Sequence, residues 1–225
     1  EFTSESELRE GEAIALAWNE DWLAMCDGGG EARVLPFADA MHRLDGCLKD
    51  PRRQKIAHDA KSLFRAALGA GVEIEGFYCD TKIAAYLLEP GSPSGYTVGE
   101  TVSRYLGVSI DADKSEPQAG EQATLSFTTD EKQNIGRAAI AIRAVAPVVE
   151  SQLRAQGAWD LATNLEFPLI QVLARMEHAG ILIDRDYLEK LNADFGQKMT
   201  ALERTIQQLA GEEFNVNSNL QLQRI

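Results

Sequence analysis

The segment Asn164-Leu165-Glu166-Phe167-Pro168-Leu169-Ile170-Gln171-Val172-Leu173-Ala174-Arg175-Met176-Glu177-His178-Ala179-Gly180-Ile181-Leu182-Ile183-Asp184 carries the hinge around which the chain is organised. Leu165, Leu169, Val172, Leu173 and Met176 recur at three- and four-residue spacing, which predicts a helix with one apolar stripe. Pro168 suits a first helical turn, where a missing N–H costs nothing, and marks a kink if the helix begins earlier. Gly180 is a left-handed stop, with His178 in the last turn near the negative end of the dipole. Ile181-Leu182-Ile183 is too short for a helix and is expected to form a buried extended piece. Asp184 caps the next helix. Such a hinge joins two masses of protein, so a different unit is expected on each side.

Upstream, Glu12 to Trp18 and Trp22 to Cys26 read as two strands joined by an Asn19-Glu20-Asp21 turn. Gly28-Gly29-Gly30 is a flexible tip without the spacing of a phosphate loop. Ala32 to Leu35 is a third strand, and Pro36 opens one helix to Leu48 with Phe37, Met41, Leu44 and Leu48 on a face. Gln54 to Ala57 is a fourth strand, with Lys61 to Ala70 helical after it and Asp59 as its expected cap. Asp80 caps a helix carrying Ile83, Tyr86, Leu87 and Leu88, and Thr97 to Leu106 forms another. Three strands, helix, strand, then helices predict an α/β layer fold with a mixed sheet. Ser109 to Gln122 is expected to be a mobile loop. A long helix from Asp130 follows, with Pro147 as a kink and Gly157 as its end.

Downstream, Leu188, Leu191, Phe195, Met199, Leu202, Ile206 and Leu209 line one side of a helix of about six turns that calls for a partner. Asn217 or Ser218 caps a further helix, and the chain stops within about two turns, which reads as the end of a fragment.

The 225 residues suffice for one large or two small domains with a real core. No run of about 18 apolar residues exists, so no membrane partner is expected. The acidic, polar amino terminus is no signal peptide. Cys26, Cys47 and Cys79 lack a C-x-x-C pair, which argues against structural zinc or disulfides and fits the reducing cytoplasm. A net charge of −13 argues against a broad phosphate-binding surface. The one close basic cluster, Arg52, Arg53 and Lys55, reads as solvated loop charge. His42, His58 and His178 have no catalytic neighbours and read as surface or capping residues.

Three groups of residues resemble the start of the polymerase region of bacterial DNA polymerase I, a family A enzyme. They are Leu165-Glu166-Phe167-Pro168-Leu169, then Met176-Glu177-x-x-Gly180-Ile181-x-Ile183-Asp184, and Phe214-Asn215-x-Asn217-Ser218-x-x-Gln221-Leu222. Asp80-Thr81-x-x-x-x-Tyr86-Leu87-Leu88-x-Pro90 resembles the same family's 3′–5′ exonuclease-like domain. The resemblance implies a ribonuclease-H-like exonuclease fold with a mixed sheet flanked by helices over residues 1–157. It implies a connector and the first long helices of a polymerase thumb over 158–225. A nucleoid-associated, cytoplasmic bacterial protein is implied, with primer–template DNA and the rest of the polymerase in cis as partners.

Editing in this family needs carboxylates that hold two divalent cations about 4 Å apart. Active relatives carry an Asp-x-Glu pair on the first strand, an Asp in the helix after the fourth, and a Tyr-x-x-x-Asp in a later helix. Here the first strand, Ala13-Ile14-Ala15-Leu16-Ala17-Trp18, holds no acid, the second position falls at Leu63, and the third pattern falls at Ile135 and Ala139. The expectation is a vestigial exonuclease with no catalytic residue and no metal of its own, Mg²⁺ serving only the parent polymerase. Glu12, Glu20, Asp21, Asp59 and Asp80 are the acids that could substitute, and all read as caps or solvated charges. The resemblance further implies that Asn215, Asn217 and Ser218 touch the sugar–phosphate backbone of the duplex, against plain helix capping as the alternative. Two other readings stay open: a working metal-dependent exonuclease with displaced ligands, and a stand-alone interaction domain on this fold.

Overall fold

The computed structural model describes residues 12–108 and 127–225, so the loop expected at Ser109–Gln122 lies outside the described residues. In chain order come strands β1 (Ile14–Trp18), β2 (Trp22–Cys26) and β3 (Arg33–Pro36), helices α1 (Phe37–Arg43) and α2 (Asp45–Lys49), and β4 (Lys55–Ala57). They are followed by α3 (Ala60–Gly69), β5 (Phe77–Asp80), α4 (Thr81–Leu88), α5 (Val98–Leu106), α6 (Phe127–Ala155) and α7 (Trp159–Leu161). The last helices are α8 (Phe167–Ala179), α9 (Arg185–Ala210) and α10 (Asn219–Leu222).

The strands form one five-stranded mixed sheet in the order β3-β2-β1-β4-β5. β1 to β3 are antiparallel neighbours, whereas β1, β4 and β5 run parallel. The Asn19 side-chain oxygen closes the first hairpin by accepting from the Trp22 N–H at 2.7 Å and the Asp21 N–H at 3.1 Å. β5 is a correction to the four-strand expectation. It is only four residues long, and its last residue, Asp80, also caps α4. Gly76 leads into it with φ +66°, and a Cβ there would lie 2.6 Å from the Arg53 carbonyl oxygen and 2.8 Å from that of Pro51.

Other expectations are corrected too. The single helix expected from Pro36 to Leu48 breaks at Leu44, and the break lets Met41, Leu44 and Leu48 all reach the core. Lys55 is no solvated loop charge: it is fully buried, its ammonium donates to the Asp50 carbonyl, and burial pulls its pKa down.

The core sits between the sheet and two helical layers. Ala139, Ile142, Val145, Val149 and Leu153 of α6 are buried in one cluster with Ile14, Leu16, Leu23 and Met25 of the sheet, and Leu63, Phe64 and Ala67 of α3 belong to the same cluster. Each large side chain so covered is worth roughly 1.5–3 kcal/mol. Rings carry α7 and α8 onto this body: Phe64 to Phe77 at 5.1 Å, Phe77 to Phe167 at 6.2 Å, and Trp159 to Phe167 at 6.0 Å. Helical backbone runs from Trp159 to Ala179 through a π turn at Ala162–Glu166, directly before Pro168, where the proline removes a donor from the ladder. Gly180 has φ +68°, as a left-handed stop requires.

Phe167, Ile170 and Ala174 are the buried residues of α8, while Leu165, Leu169, Val172, Leu173 and Met176 are exposed. Ile181, Leu182 and Ile183 are exposed and form no strand, which corrects the expectation of a buried extended piece; no described residue covers them.

The chain divides into two compact units, Glu1–Ala179 and Gly180–Ile225, so residues 158–179 pack with the sheet. In the second unit, Asp184 caps α9 by accepting from the Tyr187 N–H at 2.9 Å, and Gly211 closes it at φ +79°. No side chain of α9 is buried, its apolar stripe included.

Candidate functional site

At the carboxyl ends of β1 and β4 the sheet meets the amino end of α3, and α6 passes alongside. The space between them is a cavity of about 380 Å³. Ala17, Trp18, Asn19 and Glu20 line it from β1 and the turn, His58, Asp59 and Ser62 from the start of α3, and Val98, Ile135, Ala138 and Ile142 from α5 and α6. Its volume lies within the range of small-molecule sites.

Asp80 organises the floor of this region. Its buried carboxylate accepts from the N–H groups of Asp59 (3.2 Å) and Ala60 (2.8 Å) at the start of α3, and from those of Lys82 (2.8 Å) and Ile83 (3.2 Å) at the start of α4. One side chain thus caps two helices, as expected for α4 and unforeseen for α3. Asp59, the expected cap of α3, makes no capping bond: it takes a left-handed backbone at φ +60°, and its carboxylate pairs with Lys82 at 2.9 Å. Burial pushes the Asp80 carboxyl up, against the downward pull of the N–H groups and His58.

His58 is half-buried rather than a surface or capping residue. Its Nδ1 lies 2.9 Å from the Thr81 hydroxyl, and its Nε2 lies 2.7 Å from the Tyr96 carbonyl oxygen. Loss of solvent lowers its pKa from the ordinary value of 6.5. Burial raises the Cys79 thiol well above its usual range, so it is not a reactive nucleophile. His42 and His178 are exposed.

Of the three positions read as lost cation holders, Leu63 and Ala139 are sealed in the core at 1% and 0% exposure, and Ile135 forms part of the cavity wall. Glu12 is paired with Arg143 at 3.0 Å, and Glu20 and Asp21 are exposed in the hairpin turn. Among the described residues, no three His, Cys, Asp or Glu side chains are grouped to hold a metal. The donor set does not fit a pair of divalent cations: Asp80 is committed to four N–H groups, Asp59 to Lys82, and both nitrogens of His58 have partners.

Asn215, Asn217 and Ser218 share one turn in the second unit. The Asn215 side-chain oxygen accepts from the Asn217 N–H at 3.0 Å, and the Asn215 N–H donates to the Gln221 side chain at 2.7 Å. Ser218 caps α10 through the Gln221 N–H. Asn215 and Asn217 are exposed.

A mixed five-stranded sheet flanked by helices, with its cavity at the carboxyl ends of parallel strands, is the ribonuclease-H-like exonuclease fold. Solved structures share it: Brucella melitensis NrnC (TM-score 0.64, 19% identity, covering 77% of this chain and 88% of that one) and Escherichia coli RNase D (TM-score 0.56, 20% identity, 73% and 45%). The polymerase domain of Pol1 from M. smegmatis, solved with DNA primer-template and dNTP, matches over 95% of this chain and 36% of its own, with TM-score 0.74 and 24% identity. No family model matches. DNA polymerase I of Geobacillus stearothermophilus is 33% identical over 175 residues, 78% of this chain, and that of Mycobacterium tuberculosis 31% identical over 220 residues, 95% of it. The chain is homologous to bacterial DNA polymerase I, in its 3′–5′ exonuclease-like region. It spans 20% and 23% of the length of those two relatives.

Proposed function

We propose that this chain is part of a DNA-directed DNA polymerase of the polymerase I kind, acting in replication and repair, and that its exonuclease-like unit is a catalytically silent scaffold. Leu63 and Ala139 carry the reading: both are packed as core residues where the family resemblance calls for cation-holding carboxylates. Crowded carboxylates repel one another without their cations, and replacing them by apolar side chains turns that cost into packing. In this reading Mg²⁺ belongs to the polymerase reaction of the parent, and the protein works in the bacterial cytoplasm. Incubation with 3′-labelled single-stranded DNA and Mg²⁺ or Mn²⁺ tests it. The label stays intact if the unit is silent. Degradation abolished by Glu20→Gln or Asp21→Asn establishes an exonuclease with displaced ligands instead.

The turn that exposes Asn215 and Asn217 beside the cap Ser218 supports a second role, contact with the sugar–phosphate backbone of a primer–template duplex. Short polar side chains beside a helix start suit phosphate oxygens. In the full-length parent, Asn217→Ala with Ser218→Ala weakens duplex binding; unchanged affinity leaves these residues as caps alone.

A further inference from the structure

We propose that the cavity at the carboxyl ends of β1 and β4 binds a small aromatic amine in its ammonium form, the ring against the apolar wall and the ammonium on Glu20, and turns phosphates away. The proposal rests on the silent-scaffold reading, because a bound pair of divalent cations would reverse the charge of the site.

The lining divides by chemistry. Trp18, Val98, Ile135, Ala138 and Ile142 make an apolar wall shared by β1, α5 and α6. Trp18 is held from behind by Phe37, with ring centroids 5.4 Å apart. A wall of this kind takes a flat hydrocarbon body, and an aromatic body gains from a ring beyond the area it covers.

The polar part of the same lining is rich in acceptors. The Glu20 carboxylate only accepts. The Ser62 hydroxyl spends its hydrogen on the Asp59 carbonyl at 2.8 Å and has lone pairs left to offer. Both nitrogens of His58 are taken, by the Thr81 hydroxyl and the Tyr96 carbonyl. The Asn19 oxygen closes the hairpin, so its amide nitrogen is the side-chain donor that remains. An ammonium, which brings donors and no acceptor, suits that surplus.

Charge points the same way. Neither Lys nor Arg lines the cavity. Of its two acids, Asp59 is answered by Lys82 at 2.9 Å, whereas no described residue supplies a cation to Glu20, and Asp21 stands beside it in the turn. A phosphate would bring negative charge against these acids with nothing to neutralise it, and an ammonium supplies what Glu20 lacks. Glu20 is exposed, so water screens the pair and the preference is modest.

The test is NMR titration of the intact chain at pH 7.5 in EDTA, where the His58 ring is uncharged because its pKa lies below 6.5. Three probes of similar shape are compared: 2-phenylethylamine, 2-phenylethanol and 3-phenylpropionate. The amine is expected to shift the methyl signals of Ile135 and Ala138 and the indole N–H of Trp18 with a Kd of about 1 mM. It binds about threefold tighter than the alcohol and about tenfold tighter than the carboxylate, and Glu20→Gln brings all three within about twofold. A carboxylate that binds as tightly as the amine overturns the proposal. So does a preference that survives Glu20→Gln, or a set of shifts that misses those three residues. Titration with dAMP, in EDTA and then in Mg²⁺, tells the two readings apart. A gain of about tenfold or more from Mg²⁺ overturns the loss of the cation site and this proposal with it. Failure of the amine while dAMP ignores Mg²⁺ overturns this proposal alone.

Discussion

Helices α6 and α8 carry apolar residues at the same spacing and end in opposite surroundings. Ala139, Ile142, Val145, Val149 and Leu153 of α6 close onto the sheet, whereas Leu169, Val172, Leu173 and Met176 of α8 face outward. α8 packs through a second set, Phe167, Ile170 and Ala174, whose spacing of three and four is just as helical. Periodicity identifies which residues share a face; which face is covered depends on what the rest of the chain brings to it. On α6 the sheet lies against the stripe. On α8 the aromatic chain through Phe77, Trp159 and Phe167 fixes the helix by its other side.

The largest effect expected from this contrast comes from placing a charge on each helix. Ala139→Asp puts a carboxylate where nothing is exposed and costs about 3 kcal/mol or more, whereas Met176→Asp, at 63% exposure, stays within about 0.5 kcal/mol. Urea unfolding followed by tryptophan fluorescence reads this, because Trp18, Trp22 and Trp159 all lie in the first unit. Equal losses at the two sites would break the comparison. Ile170→Ala sharpens it within α8 alone: about 2–4 kcal/mol is expected there, against a fraction of a kcal/mol for Leu169→Ala next to it. Asp80→Ala tests the clamp that ties the start of α3, which packs on α8, to the start of α4, which packs on α6. Losing the acceptor of four N–H groups at two helix starts costs about 2 kcal/mol, with Asp80→Asn in between.

The smallest effect is a pH dependence. The folded pKa of His58 lies below 6.5, so its contribution is fully present above 6.5 and is lost as pH falls through the folded value. Asp80 is raised above 3.8, so its contribution runs the other way, present at low pH and lost as pH rises through its folded value. Between pH 7.5 and 5.5 the His58 contribution to the urea midpoint therefore falls, so the wild type loses stability relative to His58→Gln as the pH drops.

Much of the fold was legible because its signals are local. The Asn19-Glu20-Asp21 turn, the reciprocal bonds of Thr97 and Glu100 at the start of α5, and the Asp184 cap each involve residues within three positions. What escaped depends on distant partners. Asp80 reaches the start of α3 from about 20 residues away, and Lys55 is buried by the Asp50 loop and Gly76, so neither is visible to a window of neighbours. β5 hid because four residues carry too little pattern and its final one serves as a cap. Of the cavity wall, Ile135 was singled out through the resemblance and Glu20 and Asp59 as candidate acids; His58, read as a surface or capping residue, gained its partners from Thr81 and Tyr96, 23 and 38 positions away.

The proposal that hydrocarbon stands where relatives hold cations with carboxylates is tested most directly by Mn²⁺ titration of the chain, followed by electron paramagnetic resonance. The account predicts a signal of free ion throughout, up to millimolar concentration, with wild type and Glu20→Gln indistinguishable. Stoichiometric loss of the free-ion signal in the wild type, restored by Glu20→Gln, would contradict it.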